Sequence, residues 1–391
     1  MKLAVNTLFL VPGDVGGTET YLRETLLAAV REYPNVEFIL FTNLENNTLF
    51  RELFSDKDNV RCVCLQFRAC IRPLRILLEQ FLLPFAVKKH AAEILWSPGY
   101  TAPFFSFCPQ VVTVCDLQYK SFPEDMSRLE RATLDFLVRG ACRKCDAVLA
   151  ISEFSRQELI KHDFADAKKT HTILLGVDAS FGVSISESEK NECLQELSLE
   201  KPYILCVAHS YPHKKIDVLI EAFAEIEDDI PHDLVVVGRH RRGEHLITES
   251  LKTLKSKDRY VRFKNGLQYR TLQILYQSAD MFVLPSAYEG FGLPVIEAML
   301  AGVPVITTKE GALQEIAGDY AFCVDQINSR NIAEQILKVT SLSGQERVKY
   351  AVAAKQWANS FSWKKSARKM FGVFNEVINH NAEPHVKGNE L

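Results

Sequence analysis

Short apolar, β-branched runs alternate along the chain with longer stretches whose apolar residues recur at helical spacing. The first half carries "LAVN" (3–6), "EFILFT" (37–42), "ILWS" (94–97), "QVVTVC" (110–115) and "AVLAIS" (147–152). The second half carries "YILCVA" (203–208), "DLVVVG" (233–238), "YVRFK" (260–264), "DMFVLP" (280–285) and "VPVITT" (303–308). Continuous apolar runs of this length fit strands covered on both faces. Between them, "ETYLRETLLAAVREY" and "IDVLIEAFAEIE" show the three-to-four spacing of amphipathic helices. Two blocks of alternating strand and helix predict an α/β protein with two Rossmann-like, doubly wound parallel sheets. The expected boundaries are a first domain over 1–178, a polar linker with a surface helix over 179–200 and a second domain over 201–363. A helix over 364–380 and a flexible tail over 381–391 follow. Ligands of such sheets sit beyond the carboxyl ends of the strands, so two domains facing a cleft are expected.

Length supports the division, because 391 residues exceed one ordinary core. A formal net charge of −3 argues against a nucleic-acid partner. The ten cysteines fall mostly in apolar runs and read as reduced thiols of a cytoplasmic chain. Cys142 and Cys145 form a C-x-x-C, but a zinc site needs about four ligands and no matching second pair exists. The expectation is therefore no metal. The start "LAVNTLFLVP" reads as a first strand rather than a secretory leader. No apolar stretch reaches the ~18 residues of a membrane span. "ILLEQFLLPFAVKK" (76–89) has two readings. One is a helix lying on the inner face of a membrane, with Arg68, Arg72, Arg75, Lys88 and Lys89 toward anionic lipid. The other is an ordinary domain helix with a basic end.

The strongest chemistry lies in "YEGFGLPVIEAMLAGVPVIT" (288–307). Pro294 suits the first helical position and Gly302 the residue after the last. Glu297 then falls in the first turn and Glu289 in the loop before it. A helix N-terminus offers unpaired N–H groups, here including those of Val295 and Ile296, and a partial positive charge. It suits a phosphate. Two carboxylates flanking a bound diphosphate would accept hydroxyl protons on either side, which suits a nucleotide sugar. The plainer reading of Glu297 is dipole compensation, worth ~0.3–1 kcal/mol.

"PSAYEGFGLPVIEAMLAGVPVIT" resembles the E-x₇-E signature of the retaining GT-B glycosyltransferases of family 4 (group 1), mannosyltransferases among them. "PGDVGGTETYL", "VVTVCDLQYKSFPE", "AVLAISEFSRQEL", "ILLGVD", "VAHSYPHKKIDVLIEAF" and "FSWKKSARKMF" resemble further family segments in order, the last being where the final helix crosses back to the first domain. The resemblance implies that Glu289 contacts hydroxyls of the donor hexose, with backbone N–H groups of Phe291 and Gly292 on the same sugar. It implies Leu293 N–H on the diphosphate and Glu297 on the ribose hydroxyls. Lys214, preferred over Lys215 by its spacing to "EAF", would grip the diphosphate. Gly16 and Gly17 would border the donor phosphates. Asp116 is the candidate acceptor contact or general base, and Tyr119 a further acceptor contact. Relatives carry an arginine shortly before the lysine. Here the region reads "AHSYPH", and His209 or His213 is expected to replace it in part. Cys115 stands where the family has histidine, so the donor differs near C6 or another side chain serves there.

The function implied is metal-independent hexosyl transfer with retention. The donor is a nucleoside-diphosphate sugar, GDP-mannose over UDP-sugars, and the acceptor a growing or lipid-linked surface glycan. A phosphorylase or epimerase on the same architecture, and a non-catalytic nucleotide-sugar-binding protein, are the alternatives.

Overall fold

The computed structural model describes residues 1–14, 16–200 and 202–382. The tail expected over 381–391 lies, from residue 383 on, outside the described residues, while 381 and 382 end a helix. The chain divides into two compact units. Unit 1 comprises Met1–Leu117, Ser127–Gly176 and the chain from Trp363. Unit 2 comprises Gln118–Met126 and Val177–Ser362.

Over the described residues, unit 1 holds a seven-stranded sheet. Its strands are β1 (Lys2–Asn6), β2 (Glu37–Thr42), β3 (Val60–Cys64), β4 (Ile94–Ser97), β5 (Gln110–Val114), β6 (Ala147–Ala150) and β7 (Thr170–Thr172). Their order is β3-β2-β1-β4-β5-β6-β7 and every pairing is parallel. The order reverses between β1 and β4, which defines the switch point where such sheets bind ligands. The long helix Trp363–Ala382 belongs to this unit and packs on the helix Gly17–Glu32. Tyr33 stacks on Phe371 with ring centroids 3.8 Å apart, and Phe374 is fully buried beside Trp96. Glu32 pairs with Lys364 and Arg368 at the rim. Such rim pairs contribute little, so the aromatic burial anchors the helix.

Unit 2 holds a six-stranded sheet of β8 (Tyr203–Val207), β9 (Asp233–Val237), β10 (Tyr260–Phe263), β11 (Met281–Leu284), β12 (Val305–Thr308) and β13 (Phe322–Val324). The order β10-β9-β8-β11-β12-β13 is again parallel throughout, with its switch point between β8 and β11. The linker expected over 179–200 contains a helix, Glu187–Glu196, with no buried residue. Gln118–Met126 counts with unit 2, although sequence reading puts it in the first domain. The cause is visible in its side chains: Gln118 Nε2 lies 2.9 Å from His213 Nδ1, and the Phe122 ring packs against His213 and Tyr288.

Two doubly wound parallel sheets joined by these connections, with a C-terminal helix returned to the first, make a GT-B fold. Cys142 and Cys145 are both buried at the end of the helix Arg128–Lys144, and all ten cysteines are free. No helix among the described residues is long and apolar enough to cross a membrane.

Candidate functional site

The site in unit 2 is assembled at the switch point. β8 and β11 are hydrogen-bonded neighbours, so the loops that leave their carboxyl ends start side by side. The first loop closes in the short turn Pro212–Lys214, and Lys215 adopts a left-handed backbone with φ 53° to start the helix Ile216–Ile226. That geometry sends Lys214 across to the second loop, where its Nζ lies 2.6 Å from Glu289 Oε1. The pair is mostly shielded, with side-chain exposures of 19% and 12%. Ser286 Oγ donates to the same carboxylate oxygen at 2.8 Å. Lys215, the competing lysine of the sequence reading, forms the cap instead.

The backbone around Glu289 is clamped from several sides. Ala287 N–H donates to His213 O at 2.7 Å, Thr308 Oγ1 donates to Ser286 O at 2.7 Å, and Ala312 N–H donates to Glu289 O at 2.9 Å. Gly311 has φ 63°, and a Cβ there would stand 2.5 Å from Glu289 O and 2.7 Å from Glu289 N. Only glycine permits that approach. Gly311→Ala is therefore expected to displace Glu289 and lower turnover at least ~10-fold, with a stability loss of ~1–3 kcal/mol. Initial rates and urea unfolding on the same preparation check both.

The helix that follows is Leu293–Ala301, closed by Gly302 at φ 85° as its sequence predicts. It starts one residue earlier than expected, so Pro294 is the second helical residue. Glu297 consequently opens the second turn rather than lying in the first, where no acid sits. Val295 N–H, expected to be unpaired, donates to Gly292 O at 2.9 Å. The unpaired donors are displaced toward the loop: among the described residues, the N–H groups of Phe291, Gly292 and Leu293 make no hydrogen bond. Gly292, at φ 99°, turns the chain into the helix, and the Phe291 ring is buried edge-on against Phe361. Three successive unbonded amides at a helix N-terminus are donors of the kind that suit an anion.

Glu297 Oε2 accepts from the fully buried Tyr276 hydroxyl at 2.9 Å. Burial pushes the Glu297 carboxyl up to about 7; the Tyr276 bond opposes this, and the Asp178 carboxylate adds to it. Asp178 is held by Tyr269 Oη at 2.6 Å. Sequence reading missed Tyr276, which stands 21 positions before its partner on another helix. Gly311 and Ser286 were missed too, although Ser286 lies in the quoted motif.

His209 does not serve as a cation in this arrangement. His209 Nδ1 accepts from Arg239 N–H at 3.0 Å. Burial, with Arg241, Lys214 and Arg239 nearby, lowers its pKa to about 4, so the ring is neutral at pH 7. It can offer an Nε2–H donor but no charge. His213 is buried between Tyr211 and Phe122. The cations gathered near this strand end are Lys214, Arg239 and Arg241, the last two from the "GRHRRG" loop. Ser210 braces that loop, its Oγ accepting from Arg241 N–H at 2.6 Å.

The remaining candidates lie elsewhere. Gly16 caps the helix Gly17–Glu32, Gly17 faces open space, and Glu19 accepts from Gly13 N–H at 2.6 Å. Cys115 and Asp116 follow β5 in unit 1. The Cys115 thiol is buried, with the Thr18 and Tyr100 side chains hydrogen-bonded to it, and burial with Asp116 pushes its pKa far up. Tyr119 belongs to unit 2 and its side chain is buried.

The GT-B fold thus carries a shielded lysine–glutamate pair at the switch point of unit 2, with three unbonded amides two to four residues after Glu289. Residues 15–181 match the model of Glycosyltransferase Family 4, and residues 189–357 match that of Glycosyl transferases group 1. The chain belongs to this family of glycosyltransferases, whose members act with retention. It is 28% identical to the O-antigen chain mannosyltransferase B of Escherichia coli, over 75% of this chain and 77% of that one. It is also 28% identical to the O-antigen chain mannosyltransferase RfbU of Salmonella typhimurium, over 60% and 61%. Among solved structures, Anabaena HepE in complex with UDP and glucose superposes with a TM-score of 0.75 at 21% identity, covering 96% of this chain and 99% of that one. At that identity the likeness shows the fold alone.

Proposed function

We propose that this chain transfers a hexosyl unit from a nucleoside-diphosphate sugar to a growing or lipid-linked glycan of a surface polysaccharide. The observation that carries the reading is the row of unpaired amides at Phe291, Gly292 and Leu293, beside Lys214 and Glu289. Leu293 N–H and Lys214 hold the diphosphate, and Glu297 takes the ribose diol. Glu289, Phe291 N–H and Gly292 N–H hold the sugar. The glycosidic C1–O bond to the diphosphate breaks as the acceptor oxygen bonds to C1 on the same face. The acceptor proton passes to a leaving phosphate oxygen. Amides and cation are worth most where that negative charge develops. Gly16 and Gly17 border the phosphates, and Asp116 and Tyr119 contact the acceptor.

GDP-mannose is the favoured donor, supported by the mannosyltransferase names of the relatives. A UDP-sugar is the second reading, supported by the UDP and glucose bound to HepE. A calorimetric panel of nucleotide sugars, followed by transfer assays with the best binder, decides between them. GDP-mannose binding at least ~10-fold tighter than UDP-glucose is expected; the reverse order favours the second reading. Transfer is expected to persist in EDTA at the untreated rate, because Lys214 and the helix end supply the positive charge a metal would bring. Loss of transfer that added Mg²⁺ restores would contradict this.

A further inference from the structure

The helix Arg72–Lys89 of unit 1 is apolar on two faces. Its inner face sends Leu83 and Val87 into the core with Leu8, Phe41 and Leu95. Its outer face presents Leu77, Phe81 and Phe85 to solvent, with exposures of 55%, 65% and 56%. The outer face continues onto the loop before β5. The rings of Phe85, Phe105 and Phe107 form a mutual cluster with centroids 5.4–5.9 Å apart. Gln80 fixes the start of that loop, donating to Ala102 O and accepting from Phe104 N–H, both at 3.0 Å. A continuous row of exposed aromatic and aliphatic side chains of this size is uncommon on a solvated surface.

Its charges are mainly basic. Lys88 Nζ sits 4.1 Å over the Phe107 ring, and Lys89 and Arg68 are exposed, while Arg72 pairs with Glu130 at 2.9 Å. The helix's one carboxylate, Glu79, points into the core, where burial raises its pKa. This patch is basic on a chain whose net charge is −3. A second copy docked on the same face by two-fold symmetry would bring like charges together. An anionic lipid surface instead meets the rings with acyl chains and the cations with headgroups.

We propose that this face docks the protein on an anionic lipid bilayer, with Leu77, Phe81, Phe85, Phe105 and Phe107 inserted and Lys88 and Lys89 at the headgroups. The inner face keeps the helix in the domain, so it lies in the interface and does not span. The proposal deepens the reading of a lipid-linked acceptor and rests on that reading only for its purpose, since docking is measured without acceptor.

The test is co-sedimentation with phosphatidylcholine vesicles, with and without phosphatidylglycerol. The wild-type chain is expected to bind the anionic vesicles at least ~10-fold better than the neutral ones. The F81S/F85S variant loses at least ~10-fold of that binding, and K88E/K89E loses the anionic preference. Both keep wild-type donor hydrolysis in solution and wild-type unfolding midpoints. Equal binding by F81S/F85S and wild type, or no vesicle binding by the wild type, overturns the proposal. So does a dimer on sizing that F81S/F85S abolishes in a chain that ignores vesicles. Vesicle binding by a chain that turns over no nucleotide sugar would overturn the proposed function and leave the docking surface standing.

Discussion

Replacing Lys214 by alanine is expected to lower transfer at least ~100-fold, chiefly in kcat, while the fold survives. The side chain reaches the site from a turn whose helix starts at Lys215, so its removal disturbs no element. What it removes is the cation 2.6 Å from Glu289, beside the amides of 291–293. In the free enzyme that cation is shared with a carboxylate. When the diphosphate departs, the cation meets a growing negative charge in a shielded place, where Coulomb terms are large. Glu289→Ala is expected to cost at least ~100-fold as well, by losing the sugar contact and freeing the lysine. The double variant should fall little below either single one, because the two side chains act as one unit. Lys215→Asn, which tolerates the left-handed backbone, should change transfer less than ~3-fold. Steady-state kinetics on these variants checks the order; equal losses at 214 and 215 would remove Lys214 from its role.

Glu297→Gln is expected to raise the donor KM by roughly 100-fold, since two charge-assisted bonds to a vicinal diol are worth ~1.5–3 kcal/mol each. The same change should stabilise the empty protein at pH 8 by ~1 kcal/mol, after allowance for solvent around a half-buried carboxyl. Burial holds the carboxyl near 7 in the fold against an ordinary 4.5. The folded chain therefore binds more protons than the unfolded one between those values. The associated stability is fully present below about pH 4.5 and is lost as pH rises through about 7. A ribose diol needs the ionised form, so nucleotide affinity should climb up to ~10-fold per pH unit below 7 and flatten above it. Binding near pH 6 should release close to one proton. Calorimetry in buffers of different ionisation heat reads that proton directly; a pH-independent Kd with no proton released would place the ribose elsewhere.

The strands buried between neighbours were legible because they are unbroken apolar runs. Three of the four edge strands, β3, β7 and β13, were not, whereas the fourth, β10, was read as "YVRFK". An edge strand has one partner and partial burial, which weakens the apolar signal without always removing it. Lys214 and Glu289 were legible as a motif, and the switch point explains their meeting: loops from adjacent strands share a starting line. Long-range partners left no local trace. Tyr276 reaches Glu297 from a different helix, and Gly311 is required by backbone that only the fold brings near. The charge state of His209 was not legible, because the burial that lowers its pKa is a tertiary property.

The most direct measurement is a structure of the protein with a nucleoside diphosphate bound. The account predicts phosphate oxygens within about 3.2 Å of Leu293 N–H and Lys214 Nζ, with both ribose hydroxyls on Glu297. A diphosphate seated away from residues 291–293, with Lys214 still closed on Glu289, would contradict it.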